Sequence, residues 1–361
     1  MSATATRLGL AAMVAAALFF LFALPRFAEL YVLNDITVYA AMATLALSLA
    51  LVWGFGGILS LGQSVFFGIG GYAYAVAAIN MGESTVPVLL GVALPMAAAA
   101  LLGYFMFYGR VSDVYLAVIT LTVSLIFYHV MVATSGGLTG GQIKIGSAAL
   151  GGYNGIPGLP VVNLPGDPAA QLDFEGMYYF AVGTLFLVYF GVRWLLTTRF
   201  GRVAIAIREN ERRAELLGYD ARLYKLGVYV VGAGIAGLAG VLYANWGGFI
   251  SPVVFNIFFT AQVIVWVMVG GLGTLVGPMV AAVALQYVVT ELGAAATSEI
   301  KASATILGVR FDARDFLDSN VVLGVVFIVF TLFVPKGVAP YVQEKLAPWF
   351  ARRRADGRAA P

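Results

Sequence analysis

The sequence predicts an all-α integral membrane protein. About ten transmembrane helices (8–10) are expected, some broken at Gly-rich segments, with one short cytoplasmic coupling helix. Three observations predict this. Of the 361 residues, 61% are hydrophobic and only 11% charged, against about a quarter charged in soluble domains. Uncharged runs long enough to cross a bilayer recur along the chain, because about 20 apolar residues span its hydrocarbon core. The basic residues gather in two blocks rather than spreading evenly.

The uncharged stretches are residues 8–25, 36–82, 84–109, 114–143, 176–192, 226–290 and 319–335. The first follows Arg7 and has the outline of a signal peptide, but "ALPRFAEL" is a poor small-x-small cleavage site. A retained first span is therefore expected. As a helix, residues 36–82 would reach roughly 70 Å across a core of about 30 Å. They therefore hold two passes, broken within the Gly-rich "WGFGGILSLGQ". Residues 226–290 hold about three, with breaks near "GFISPVVF" and "VGGLGTLVGP", where Pro and Gly interrupt a helix.

Orientation follows from Lys and Arg, which favour the cytoplasmic side. Residues 193–225 carry eight of the 21 and residues 336–361 carry six, so both segments are placed inside. Six crossings before residue 193 then put the N-terminus inside as well, and loops 134–175 and 293–318 outside. The expected organisation is a single transmembrane unit over 1–335, with a cytoplasmic loop at 199–225, an extracytoplasmic loop at 134–175, and a basic cytoplasmic tail at 336–361. The Gly- and Pro-rich loop 134–175 suits either a surface for an external partner or a linker folded over the span ends.

The segment 199–225 holds seven of the 21 basic residues, together with four acidic ones. Val203, Ile207, Asn210, Ala214 and Leu217 recur at spacings of four and three, which predicts a short amphipathic helix with one narrow stripe. Arg208, Glu209, Glu211, Arg212, Arg213 and Glu215 form its other face. Glu209 and Arg213 have the i,i+4 spacing of a favourable pair, and Gly218 stands where a left-handed C-terminal cap is expected. Such a helix can lie on anionic lipid or enter a groove on a protein. The narrow stripe and the mixed charge favour the groove.

At this point a resemblance becomes specific. "ENERRAELLGYDARLYKLGVYVVGAGIAGLAGVLYANWGG" resembles the cytoplasmic loop and following span of branched-chain amino acid permeases of ABC importers, of the LivM type. "LSLGQSVFFGIGGYAYA" and "VMVGGLGTLVGPMVAA" are similar to two further signatures of that family, and the likeness covers most of residues 36–335. It implies one permease subunit in a bacterial cytoplasmic membrane. A second, LivH-like permease chain, two ATPase subunits and an extracytoplasmic solute-binding protein are implied as its partners, besides membrane lipid. It also implies docking of the loop on an ATPase through a Glu-Ala-Ala…Gly motif. Here Ala214 and Gly218 match that motif, while Arg212 and Arg213 stand where Glu and Ala are usual. The docking set is then Arg208, Glu209, Asn210, Arg213, Ala214, Leu217 and Gly218. Branched-chain amino acids are the family's usual cargo, and close relatives carry urea and short amides.

Other chemistry is excluded or weak. With no Cys and a single His129, thiolate and multi-histidine metal sites are ruled out. None of the five lysines is followed by Ser or Thr, so the chain has no GxxxxGK[ST] phosphate loop. No cofactor is expected on this chain, and ATP and Mg belong to a partner ATPase. "GAGIAG" fits GxGxxG but lies inside an apolar span. Gly232, Ala236 and Gly240 read instead as a close helix-packing face. Nothing points to nucleic acid or to catalysis. The lack of intramembrane Asp, Glu, Lys and Arg argues against proton- or sodium-coupled carriers.

Candidate pathway residues lie at the expected breaks, where uncovered backbone is tolerated only beside protein or a water-filled cavity. They are Ser60, Gln63 and Ser64 at the first, and Asn245, Trp246 and Gln262 around the second. These groups can equally serve to join helices. The expected function is inward import of branched-chain or other small hydrophobic amino acids, driven by ATP hydrolysis elsewhere. The alternatives are the same importer type carrying urea or short amides, or an uncoupled channel for a small neutral solute.

Overall fold

A computed structural model describes residues 3–135, 143–299, 303–306, 309–312 and 324. Helices dominate it. α1 (Ala3–Leu18) runs through a π-helical turn at Phe19–Ala23 into a short 3-10 turn. α2 (Leu30–Leu49) is likewise extended by a π-helical turn, Ala50–Phe55. α3 (Gln63–Met81), α4 (Thr85–Tyr108), α5 (Asp113–Ala133) and α6 (Phe174–Thr197) follow. The charged segment forms α7 (Arg199–Glu209) and α8 (Glu211–Leu216). α9 (Ala221–Gly247), α10 (Ile257–Gly270) and α11 (Val276–Glu299) complete the order.

Among the described residues seven helices are long and apolar enough to cross a membrane, and two shorter apolar ones lie at Ile257–Gly270 and Val276–Thr290. This is a multi-span helical membrane protein. The long uncharged runs divide as expected, 36–82 into α2 and α3 and 226–290 into α9, α10 and α11. The crossing expected at 319–335 and the tail at 336–361 lie outside the described residues, residue 324 apart.

Glycine decides which helices reach the centre. A Cβ at Gly70 on α3 would collide with Gly237 on α9, and one at Gly240 on α9 with the Phe67 carbonyl on α3. Pro95, buried inside α4, packs against Gly237. α3, α4 and α9 therefore meet backbone to backbone, where dispersion rather than a hydrophobic drive holds helices together. Gly232 faces the Val52 side chain of the π-helical turn after α2, and Ala236 is fully buried, so "GAGIAG" is indeed a packing face. α2 is the most enclosed span, with α6, α9, α10 and α11 around it, whereas α1 and α5 keep most of their surface facing outward.

At the end of the bundle opposite α7 and α8, residues 143–173 fold over the helix ends. β1 (Lys144–Ile145) pairs with β2 (Ala148–Ala149), and β4 (Asn163–Leu164) with β5 (Asp167–Gln171), all antiparallel. β3 (Ile156–Pro157) pairs with β6 (Phe249–Ile250) from the segment after α9. Side-chain amides fasten this cover. The Asn80 amide donates to the Ile145 carbonyl at 2.9 Å and its oxygen accepts from Ser147 N–H at 2.8 Å. Ser84 N–H donates to Asn163 Oδ1 at 2.8 Å. β7 (Ser303–Ile306) and β8 (Val309–Asp312) form a further hairpin.

Candidate functional site

The first helix break begins where α2 leaves its π-helical turn. Gly57 has φ +71°, a left-handed conformation that favours glycine. Residues 58–62 then run without helix until α3 starts at Gln63. Their free backbone groups find side chains, as burial demands: Leu61 N–H donates to Thr120 Oγ1 at 3.0 Å and Gly62 N–H to Ser60 Oγ at 3.3 Å. Gln63 donates from Nε2 to Ser48 Oγ at 3.1 Å, and its buried Oε1 has no hydrogen-bond partner.

Ser64 joins this break to the next. Its Oγ lies 2.9 Å from Ser124 Oγ on α5 and 2.7 Å from Thr260 Oγ1 on α10. Ser124 Oγ donates to the Phe255 carbonyl at 2.9 Å. A hydroxyl has one proton to give, so the directions follow: Thr260 donates to Ser64, Ser64 to Ser124, and Ser124 to Phe255. One directed chain of neutral hydrogen bonds thus ties α10, α3 and α5 to the 3-10 turn Pro252–Phe255 ahead of α10. The adjoining gap, bounded by Leu49, Ser60, Gln63, Thr260 and Val263, is too narrow for a water molecule.

Of the six pathway candidates, the structure brings Ser60, Gln63 and Ser64 together and leaves the other three elsewhere. Asn245 Oδ1 accepts from Tyr74 Oη and from Val162 N–H, both at 2.9 Å, which pins the covering loop. Trp246 Nε1 donates to the Asn34 carbonyl at 2.9 Å. Both border a separate cavity of about 260 Å³ beneath that loop, together with Thr37, Asp173 and Met177. Gln262 turns to α11 and donates to Gln286 Oε1 at 2.9 Å. Sequence reasoning missed Ser48, Thr120, Ser124 and Thr260. A lone hydroxyl in a span gives no distinguishing signal, since Thr37, Thr44 and Thr122 simply bond their own helix four residues back. Among the described residues no three His, Cys, Asp or Glu side chains gather as metal ligands.

The charged segment departs from expectation in one respect. It is not a single helix from Val203 to Leu217, because Asn210 adopts an extended conformation (φ −158°, ψ 95°) and breaks it in two. Asn210 side chains compete well for nearby backbone groups, and here Oδ1 accepts from Arg213 N–H at 2.9 Å as the N-cap of α8. The stripe therefore bends. Ile207, Ala214 and Ala221 form a small buried cluster, with Val203 and Tyr224 packed on it. Ala214 thus faces inward, while Asn210 and Leu217 face outward. Glu209 and Arg213 fall on different helices, and no ion pair joins them among the described residues; Glu211 instead pairs with Lys225 at 2.7 Å.

The rest of the predicted set is placed as follows. Gly218 has φ +88°; its N–H donates to the Glu215 carbonyl at 2.9 Å and that of Tyr219 to the Ala214 carbonyl at 3.2 Å. This paired closure is the Schellman cap. Leu216 and Leu217, at the tip of α8, are 83% and 72% exposed. Glu209 and Arg213 are also at the surface, and Arg208 turns toward Gly57 and Gly273. Phe200 stacks on Tyr224 at 5.5 Å, and the Arg222 guanidinium lies 5.8 Å from the Tyr108 ring at the end of α4. With the Glu211–Lys225 pair, these contacts fasten α7 and α8 to the start of α9, and α9 to α4, as one elbow.

The family model described as "Branched-chain amino acid transport system / permease component" matches residues 31–331. Two curated relatives are each named "High-affinity branched-chain amino acid transport system permease protein LivM". The one from Escherichia coli (strain K12) is 29% identical over 321 residues, covering 84% of this chain and 68% of that protein. The one from Salmonella typhimurium is 29% identical over 319 residues with the same coverage. A "Probable branched-chain amino acid transport permease protein LivM" from Methanocaldococcus jannaschii is 29% identical over 202 residues, 52% of this chain and 54% of that one. No solved structure matches the chain. The matched family model spans most of the chain, and the chain belongs to the branched-chain amino acid ABC transport permease family, whose members are non-catalytic transport subunits.

Proposed function

We propose that this chain is one transmembrane subunit of an ABC importer that moves branched-chain or other small hydrophobic amino acids inward. A second homologous permease chain, two ATPase subunits and an extracytoplasmic solute-binding protein complete the assembly, in a bacterial cytoplasmic membrane. ATP and Mg act on the ATPases. The elbow of α7 and α8 is the cytoplasmic docking element, and the seam around Ser64 lies on the solute pathway in a closed conformation. The observation that carries this reading is the pair Leu216 and Leu217. They stand at the surface on a helix tip held by a Schellman cap and an ion pair. An apolar tip on a fixed, charged support suits a groove on a partner protein. Ala214 contributes by packing the elbow rather than by touching the partner.

The test is to purify the chain from its native membrane in mild detergent, beside the variants Leu216→Asp and Leu217→Asp. A phosphate-loop ATPase that co-purifies with the parent chain and is lost from both variants supports the proposal. A chain that purifies alone, with solute flux independent of ATP, moves the reading to an uncoupled channel. Competition of uptake by leucine against urea then decides the cargo class.

A further inference from the structure

We infer that Arg208 is a positioning residue that ties the docking elbow to the first helix break and to the α10–α11 turn, so that movement of the elbow shifts α3 and α10, the two helices that carry the Ser64–Thr260 hydrogen bond. The inference rests on the docking role proposed above for α7 and α8, but not on which face of them meets a partner.

Arg208 lies in the last turn of α7, and although exposed it lays its stem against the turn after α2. A Cβ built on Gly57 would stand 2.9 Å from Arg208 Cγ and 3.2 Å from its Cβ. A Cβ built on Gly273 would stand 3.5 and 3.9 Å from the two terminal guanidinium nitrogens. Gly57 (φ +71°) and Gly273 (φ +83°) both occupy the left-handed region. A side chain there would be strained and, at Gly57, would push the arginine away. The two turns also abut each other, since a Cβ on Gly54 would lie 3.1 Å from Gly273 N. One cation therefore spans a junction of two glycine turns that belong to different helix breaks.

Electrostatics explains why a cation sits here. Helix C-termini carry partial negative charge from unpaired carbonyls. Arg208 lies in the last turn of α7, and the two glycines it meets, Gly57 and Gly273, follow the C-termini of the π-helical extension of α2 and of α10. No carboxylate pairs with Arg208 among the described residues. Its charge is thus available to these helix ends, and its fork-shaped head can address two of them at once. The first turn leads directly into the seam, and the second connects to it through the length of α10. Gly57 is followed by Ser60, Gln63 and Ser64, and α10 runs back from Gly270 to Thr260. A packed junction transmits displacement because close-packed groups deform little.

The chain contains no Cys, so spin labels can be placed uniquely at Glu215→Cys on α8 and Leu272→Cys in the α10–α11 turn, both at the surface. In the purified full chain the label-to-label distance is expected to be single and narrow. Arg208→Gln, which keeps much of the stem and removes the charge, is expected to broaden it, and Arg208→Lys to retain it. An unchanged distribution in Arg208→Gln would overturn the proposal, and this readout needs no ATPase. In proteoliposomes holding the whole transporter, solute moved per ATP hydrolysed is expected to fall at least tenfold in Arg208→Gln. Loss of the bound ATPase from Arg208→Gln would make Arg208 a docking residue and overturn the inference. Absence of any ATPase from the parent chain would instead overturn the docking reading and leave the distance measurement standing.

Discussion

Ser64 on α3 and Thr260 on α10 lie 196 positions apart and share a hydrogen bond of 2.7 Å between their hydroxyls. Each stands beside a helix break, so this contact joins two of the places where the bundle is discontinuous. Because Ser64 passes its own proton to Ser124, and Ser124 to the Phe255 carbonyl, the bond belongs to a polarised chain rather than to an isolated pair.

Thr260→Val removes the donor at the head of that chain and leaves Ser64 one partner short. The expected cost is about 1 kcal/mol for the lost bond, with a similar amount if the stranded lone pair stays dry. Ser64→Ala breaks two links and is expected to cost more. Thermal unfolding in detergent of both single variants and the double variant checks this. A double variant equal to the sum of the singles would mean the two hydroxyls are not coupled.

Gly70→Ala introduces a methyl group where the α9 backbone at Gly237 already stands. Overpacking of this kind costs about 1–3 kcal/mol, and here the obstacle is backbone, which cannot rotate aside. The variant is expected to accumulate poorly in the membrane. Gly183→Ala, on α6 with open space around it, is expected to behave like the parent. Immunoblots of membrane fractions compare the two.

Gly218 separates conformational from contact effects, since a Cβ there would touch nothing within 4 Å. With φ at +88°, Gly218→Ala is expected to cost about 1–2 kcal/mol through backbone strain alone. Gly218→Asn should cost less, because Asn tolerates the left-handed region. Hydrogen exchange at the end of α8 reports the difference. Equal protection in both variants would remove the cap from the account.

Asn245 holds the loop cover to α9 by accepting from Val162 N–H and Tyr74 Oη. Asn245→Leu strands the Val162 N–H, at about 1–3 kcal/mol, while Tyr74 Oη keeps the Pro160 carbonyl at 2.8 Å. The expected result is faster proteolytic cleavage within residues 159–173, with the bundle intact. Parent-like cleavage would mean that β3 with β6, and Ser84 with Asn163, suffice to hold the loop.

Composition alone determined much of this protein. A chain with so little charge must be a membrane protein, and its long apolar runs divide at the glycine- and proline-rich positions where a helix cannot continue unaided. Gly218 was legible as a cap and "GAGIAG" as a packing face, because backbone conformation and small size act locally. The tertiary structure decided the rest. Asn210 could continue the stripe or break it, and its side chain prefers to cap α8. That choice turned Ala214 inward and left Leu216 and Leu217 at the tip. Asn245, Trp246 and Gln262 looked equivalent to Ser64 in sequence, yet each found a partner away from the seam. Hydrophobic periodicity sums over neighbours along a helix. Which hydroxyl meets which depends on contacts between helices that only close packing at Gly70, Gly237 and Gly240 sets.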